Sequence, residues 1–244
     1  MNIAILSCNT GGGHNSAAAA IARELDAQGH TYKIYNTLDF LPPSSARLIS
    51  RGHDFAYRHA PKLYGAGYRY EEKHPPVLLH EQCGKGCLPL WEALTEQGAQ
   101  AVICVHVFPA MMMTELSGRG LYLPSYFVAT DYTCSPGVSE LVVDGICIPH
   151  PLLAEEFAAA GLPADRLYPT GIPVSPEFAP AADREAVRVK LHMVGRSHVL
   201  VLACGSMGAG PLRGAAEVIR QQLGEDDLLV VVCGSNRRLY RQCR

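Results

Sequence analysis

The same piece of local grammar is written twice in this chain, and it constrains the fold more than any other feature. Near the start, the apolar run Asn2–Cys8 meets Gly11, Gly12 and Gly13. An alanine-rich helical stretch over Asn15–Gln28 follows, stopped by Gly29, and then a second apolar run, Thr31–Asn36. Near the end, Val199–Ala203 meets Gly205-Ser206-Met207-Gly208-Ala209-Gly210, then a helical stretch over Pro211–Leu223 and a strand over Leu228–Cys233. Strand, glycine-rich turn, helix and strand in that order make a βαβ unit, and βαβ units build parallel sheets with helices on their faces. The expectation is an α/β protein with two Rossmann-like sheets.

The stretch between the two units keeps the alternating rhythm. Leu88–Glu96 reads as a helix, Ala101–Val107 as a strand ending at His106, and Pro109–Ser117 as a helix. Ser125–Ala129 reads as a strand leading into Thr130-Asp131, Gly145–Ile148 as a short strand, Leu152–Ala160 as a helix closed by Gly161, and Leu167–Thr170 as a further extended run. From Ser175 to about Asp183 the chain is rich in Pro and Ala without a period, which marks a linker. Glu185–Leu191 and Asn236–Arg244 read as helices on either side of the second unit. The predicted organisation is a domain over 1–174, a linker over 175–184 and a second domain over 185–244. Two strands do not make a stable doubly wound sheet, so the expectation is that 185–244 is only the front of its domain.

Composition narrows the function classes. Of the 244 residues 48% are apolar, enough for a core, and 18% are charged. The formal net charge of −2 gives no general attraction to nucleic acid. Met1 leads into a short apolar run without a basic flank, which is not a secretory signal. Stretches such as Ala101–Val107 are far shorter than the ~20 residues of a membrane span. The expectation is a cytoplasmic protein, peripheral on the inner face of the cell membrane. The nine cysteines are scattered. Cys8, Cys104, Cys147, Cys204 and Cys233 sit in apolar runs as small hydrophobes. Cys83-x3-Cys87 lacks a second ligand pair at zinc-finger spacing, so no metal site is expected.

Residues 42–80 differ in texture. Six Lys/Arg (Arg47, Arg51, Arg58, Lys62, Arg69, Lys73) and three acids give a local charge of 6 − 3 = +3, with Tyr57, Tyr64, Tyr68 and Tyr70 interleaved. Basic and aromatic residues at helical spacing suit docking on an anionic membrane surface, where each cation contributes about 1 kcal/mol. Arg47, Arg51, Arg58, Lys62, Tyr64 and Arg69 are the candidate docking residues. The competing reading is an ordinary solvated helical insert.

Chemistry concentrates at the first glycine turn. Glycines between a strand and a helix allow positive φ and close backbone approach, and a helix start offers unpaired N–H groups to an anion. Gly11, Gly12, Gly13 and Asn15 form this candidate loop. His14 stands in it at the carboxyl end of a strand, where open α/β sheets bind ligands, and an imidazole there suits general-base work. A tight turn with a merely capping His is the alternative. The loop is neither a Walker motif nor G-x-G-x-x-G. Asp131 and His106 also end strands on that edge. Asp131 is a catalytic candidate or a turn cap, and His106 is read as a packed, hydrogen-bonded core residue.

Five segments taken together carry a resemblance: Ser7…Gly11-Gly12-Gly13-His14-x-x-Ala17-Ala18, Thr130-Asp131-Tyr132-Thr133-Cys134, Thr170-Gly171-Ile172-Pro173-Val174-Ser175-Pro176-x-Phe178, Gly205-Ser206-Met207-Gly208, and Val231-Val232-Cys233-Gly234-Ser235-Asn236. The chain resembles the monogalactosyldiacylglycerol synthase and processive diacylglycerol glucosyltransferase family. More distantly it is similar to the N-acetylglucosaminyltransferase of lipid II synthesis. The resemblance implies a GT-B fold, glycosyltransferase family 28-like, with a lipid acceptor on the N-terminal domain and a UDP-sugar on the C-terminal one. It implies inverting hexosyl transfer to diacylglycerol, without metal or cofactor. His14 matches the family's proposed base, Gly205, Ser206, Met207 and Gly208 match a loop near the donor diphosphate, and Asn236 matches the Cys-Gly-x-Asn segment before the donor site. The chain departs in lacking the His and Trp that many members carry after Thr-Asp. It also ends before the family's acidic ribose-binding residue and second diphosphate loop, so a truncated and inactive donor half is expected. Transfer to a polyprenyl-linked or other lipid acceptor, and a non-catalytic lipid- or anion-binding module, are the alternatives.

Overall fold

The computed structural model describes residues 1–9, 11–59, 65–67, 69–70 and 77–244. They form two compact units, Met1–Ser175 and Pro176–Arg244.

The first unit is one parallel sheet of six strands. In chain order its elements are β1 (Asn2–Ser7), α1 (Gly12–Ala27), β2 (Thr31–Asn36), α2 (Pro43–His59), α3 (Val77–Gln97), β3 (Ala101–Cys104), α4 (Val107–Gly118), β4 (Ser125–Val128), β5 (Gly145–Ile148), α5 (Ala154–Ala159) and β6 (Leu167–Pro169). The strand order is β2-β1-β3-β4-β5-β6, all neighbours parallel. β1 lies inside the sheet and is covered on both faces. Ala4 and Leu6 enter the cluster that includes Leu90, Leu94, Phe108 and Met112, whereas Ile3 and Ile5 enter the one built with Ala17, Ala18, Ala22 and Leu25 of α1. That two-sided burial is why β1 reads as a continuous apolar run. The order reverses between β1 and β3, since β2 lies on one side of β1 and all later strands on the other. In open α/β sheets such a switch point opens a crevice at the carboxyl ends of the strands. The segments that leave β1 and β3 here carry His14 and His106.

Two local expectations change. The helix read from Asn15 begins earlier, at Gly12, with Gly11 in the cap position and no side-chain capping bond. Asn15 is occupied elsewhere, as described below, and the Ser16 hydroxyl donates back to the Gly12 carbonyl. The helix read over Leu88–Glu96 begins much earlier, at Val77. Pro89 invites a reading as a helix start, because it lacks an N–H and crowds the preceding turn. The apolar stripe Cys83, Cys87, Leu90, Leu94 carries the helix through that defect, each residue no more than 1% exposed. Gly86 lies on this packed side, where a Cβ would come within 2.7 Å of Leu41 Cδ2 and 2.9 Å of Met112 Cε.

The second unit contains α6 (Arg184–Lys190), β7 (Val199–Ala203), α7 (Leu212–Arg220), β8 (Leu228–Val232) and α8 (Arg237–Cys243). β7 and β8 pair in parallel from Val199↔Leu228 to Ala203↔Val232. Its buried apolar cluster is Leu212, Cys233 and Leu239. Val201 and Val232, strand residues of a type that α/β sheets normally cover, are 64% and 43% exposed.

Candidate active site at the carboxyl edge of the first sheet

His14 sits in the first turn of α1, half-buried. Its Nδ1 is 2.9 Å from the carbonyl oxygen of Val105 and 3.0 Å from Thr130 Oγ1. A carbonyl oxygen only accepts, so Nδ1 carries the hydrogen, and in the neutral ring Nε2 is left as the basic nitrogen. A proton taken at Nε2 would leave an imidazolium whose Nδ1–H faces two oxygens. That is the orienting arrangement a general base needs. Val105 is fully buried and its own N–H donates to Leu6 O, so the sheet fixes the anchoring carbonyl.

His106 follows Val105 and caps α4, its Nδ1 accepting from the Phe108 N–H at 3.0 Å. The hydrogen-bonded role expected for it is therefore present, as a helix cap on the crevice edge. Its ring meets His14 edge-on, centroids 4.5 Å apart and planes at 72°. Asp131 is exposed, and its carboxylate accepts from the Ser135 hydroxyl at 3.3 Å. Thr130, one residue earlier, is the side chain that reaches His14.

The glycine turn differs from its expected conformation. Gly11 is extended at φ −176°, and Gly12 and Gly13 are already helical. A Cβ on Gly11 or Gly13 would meet nothing within 4 Å. Neither backbone conformation nor packing requires glycine there, so the bare backbone leaves open space at the start of α1. Side chains hold the turn instead. Ser7, 2% exposed, donates to Asn15 Oδ1 at 2.7 Å, and Asn15 Nδ2 donates to Asn9 Oδ1 at 3.1 Å. The Asn9 N–H donates to Asn36 Oδ1 at 3.1 Å, and Asn36 Nδ2 to Asp39 at 2.7 Å. Asn15 thus ties the first turn of α1 to the end of β1.

The segment after β4 is clasped from α5. Glu156 accepts from the Thr133 hydroxyl and the Cys134 N–H, both at 2.7 Å. The Cys134 N–H and the Thr133 hydroxyl hold the Glu156 carboxyl below its ordinary value.

The second glycine turn is built oppositely. Gly205, Gly208 and Gly210 have φ of 60°, 56° and 89°. A Cβ on Gly208 would lie 2.0 Å from Cys233 O, and one on Gly234, at φ 52°, would lie 2.2 Å from Ser206 O. The Ser235 N–H donates to Ser206 O at 2.9 Å. Asn236 uses both ends of its amide: Nδ2 donates to Gly208 O at 2.9 Å, and Oδ1 caps α8 by accepting from the Leu239 N–H at 2.9 Å. Ser206 is exposed and Met207 half-buried.

Of the candidate docking residues, Arg47 on α2 and Arg69 are exposed, with Leu48 and Tyr70 beside them at 64% and 63%. Lys62 and Tyr64, and the side chains of Arg51 and Arg58, lie outside the described residues. Among the described residues no helix is long and apolar enough to cross a membrane. Cys83 and Cys87 are buried donors to the carbonyls of Phe108 and Gly84, and burial pushes the Cys83 thiol up to about 12. Among the described residues no three His, Cys, Asp or Glu side chains gather as metal ligands would.

Sequence reasoning singled out His14 without the groups that hold it. Val105 contributes a backbone atom, which no residue type signals, and Thr130 stood in the shadow of Asp131. Nothing in the residue type of Glu156 marks it as the clasp on Thr133 and Cys134.

Known proteins resemble this chain in sequence and in fold. The sequence profile of monogalactosyldiacylglycerol (MGDG) synthase matches residues 14–174. The chloroplast monogalactosyldiacylglycerol synthase of Spinacia oleracea is 26% identical over 97% of this chain and 48% of its own length. The processive diacylglycerol beta-glucosyltransferase of Staphylococcus saprophyticus is 27% identical over 55% of this chain and 34% of its own length. The chain therefore spans about half the length of the plant relatives it matches, or less of the bacterial one. In fold it is similar to Acinetobacter baumannii MurG (TM-score 0.54, 15% identity, 99% of this chain and 61% of that one). It is also similar to S. aureus MnaA in its UDP co-structure (TM-score 0.56, 13% identity, 99% and 64%). The α/β architecture is of the GT-B type, and the chain belongs to the monogalactosyldiacylglycerol synthase family of glycolipid-forming glycosyltransferases.

Proposed function

We propose that the protein containing this chain transfers a hexosyl group from a UDP-sugar to the hydroxyl of diacylglycerol or a closely related membrane lipid, with His14 as the base. The observation that carries this reading is the pinned imidazole: Nδ1 is committed to Val105 O and Thr130 Oγ1, which leaves Nε2 basic at the crevice edge of the sheet. The acceptor oxygen attacks C1 of the sugar as its proton passes to Nε2. The bond from C1 to the diphosphate oxygen breaks, and its electron pair leaves with UDP. Attack opposite the leaving group inverts C1. The start of α1, open at Gly11 and Gly13, receives a polar or anionic portion of a substrate. Gly205–Gly208 serves the donor diphosphate, with Asn236 holding that loop in shape. The reading calls for no resident metal or cofactor.

Access to a lipid is supported by the exposed Arg47–Leu48 and Arg69–Tyr70 pairs, which suit peripheral docking on an anionic leaflet. Labelled UDP-glucose and UDP-galactose, incubated with the protein and diacylglycerol in anionic vesicles, test the activity. A glycolipid product is expected, and His14→Ala should lower its rate by roughly 10²- to 10⁴-fold with unfolding unchanged. No product from either donor, or normal turnover by His14→Ala, overturns the respective half of the reading. Vesicle flotation that is weakened by salt is expected, and flotation indifferent to anionic lipid would refute the docking.

A further inference from the structure

His14 and His106 are both anchored through Nδ1, in opposite senses. His14 donates from Nδ1 to Val105 O, and His106 accepts at Nδ1 from the Phe108 N–H. The cap requires a lone pair on His106 Nδ1, so that ring is held neutral and in one orientation while the cap is made. Val105 and His106 are consecutive: one peptide supplies the oxygen that grips His14, and the next side chain supplies the wall its ring leans on, centroids 4.5 Å apart.

Resting on the reading of His14 as the base, we propose that His106 is a positioning residue for His14. Capping fixes the His106 ring, and the fixed ring holds His14 in the Nδ1–H tautomer with Nε2 outward. A half-turn of the His14 ring about its Cβ–Cγ bond would put a carbon against Val105 O and remove the basic nitrogen from the crevice. The ring must sweep sideways to make that turn, and the edge-on contact with His106 stands in the way. Capping does not itself require the ring contact. Asn, Asp, Ser and Thr are the preferred N-caps, and they reach the N–H without a ring. The same fold contains the comparison: His150 also caps, accepting from the Leu152 N–H at 3.2 Å, yet among the described residues it meets no other ring.

His106→Asn keeps a capping oxygen and removes the wall. His106→Ser does the same with a smaller group, should the first variant fail to fold. His150→Asn is the control. Long-range ¹⁵N–¹H spectra of histidine-labelled chain read the His14 tautomer without reference to turnover, and steady-state kinetics on the full protein read the consequence. The expected result is a single Nδ1–H signature for His14 in the unaltered chain and a mixture in His106→Asn. A fall in kcat of roughly tenfold or more should accompany it, with acceptor KM within about twofold, and His150→Asn should change neither. An unaltered His14 signature in both His106 variants overturns the inference, as does an equal change in His150→Asn. If the signature changes while His14→Ala turns over normally, the positioning stands and the base assignment falls.

Discussion

Where β1 passes into α1 the chain places three glycines, Gly11 ahead of the helix and Gly12 and Gly13 in its first turn, and between β7 and α7 it places three more, Gly205, Gly208 and Gly210. The first set lies in backbone that any residue adopts, with open space around Gly11 and Gly13. The second set has positive φ throughout, and Gly208 interlocks with the turn after β8 so closely that a Cβ there would overlap a backbone carbonyl. The first turn is fastened by side chains: Asn15 on Ser7, His14 on the Val105 carbonyl, and nearby Glu156 on Thr133 and Cys134. The second is fastened backbone to backbone, with Asn236 as its clasp. Glycine in one place leaves room for something that is not protein; in the other it lets two turns touch. Added methyl groups should therefore damage folding at the second turn and leave folding alone at the first.

The largest effect belongs to Gly208→Ala and Gly234→Ala. A left-handed conformation costs an L-residue about 1–2 kcal/mol, and overpacking adds typically 1–3 kcal/mol. Backbone atoms at 2.0 and 2.2 Å cannot be turned aside as a flexible side chain can. We expect the second unit to lose roughly 2–5 kcal/mol, read as collapse of amide-exchange protection in β7 and β8. Gly205→Ala shares the positive φ but has no neighbour within 4 Å, so it should cost only the ~1–2 kcal/mol of strain. Near-neutral Gly208→Ala would break the contrast at its strongest point.

Asn236→Ala comes next. It removes a helix cap, typically ~1 kcal/mol, and a bond to Gly208 O of about the same size, so the second unit should lose roughly 1–2 kcal/mol in chemical denaturation. Asn236→Asp keeps the capping oxygen and loses the donor, and should fall about halfway. Equal losses from the two substitutions would mean that the clasp contributes nothing.

How far the sequence led follows the same division. Gly145–Ile148 is a strand over the residues its apolar run marks out, because a covered parallel strand leaves an unbroken signature, and Val199–Ala203 is a strand over its own run although Val201 is exposed. The first half of α3 was hidden by Pro89, though the Cys83–Cys87–Leu90–Leu94 spacing was there to be counted. Glycine content marked both turns and could not say which one needed positive φ, since that depends on what lies opposite the loop. His14 stood out as a titratable residue at a strand end. Its grip was invisible, because it is a main-chain oxygen 91 residues away. Asn236 was legible as a position that matters, while its function as a clasp depends on a carbonyl 28 residues back in the chain.

Glu156 offers a smaller test on the first unit. Its carboxyl is held low by the Cys134 N–H and the Thr133 hydroxyl. A depressed acid contributes above its unfolded pKa and loses that contribution as pH falls through the folded value. Amide exchange at Cys134 should therefore stay protected down through the ordinary glutamate value of 4.5 and quicken only below it. Glu156→Ala should expose that amide at every pH, with global stability changed by no more than about 0.5 kcal/mol, as for other solvated sites. A Cys134 amide indifferent to both would mean that side chains do not hold this edge.

The smallest effect on folding carries the most information. Gly11→Ala adds a methyl group where nothing lies within 4 Å and should change stability by less than about 0.5 kcal/mol. Gly13→Ala is equally unobstructed and lies inside α1, where alanine is favoured over glycine by roughly 0.5–1 kcal/mol, so it should stabilise the first unit. If the space at the start of α1 exists for a substrate, both variants should lose transfer activity while folding as well as before or better. A gain in melting temperature paired with a fall in kcat/KM is the expected result, because a site held open costs stability that a methyl group restores. A stabilised Gly13→Ala protein with undiminished turnover would leave the open glycines of the first turn without a ligand to explain them.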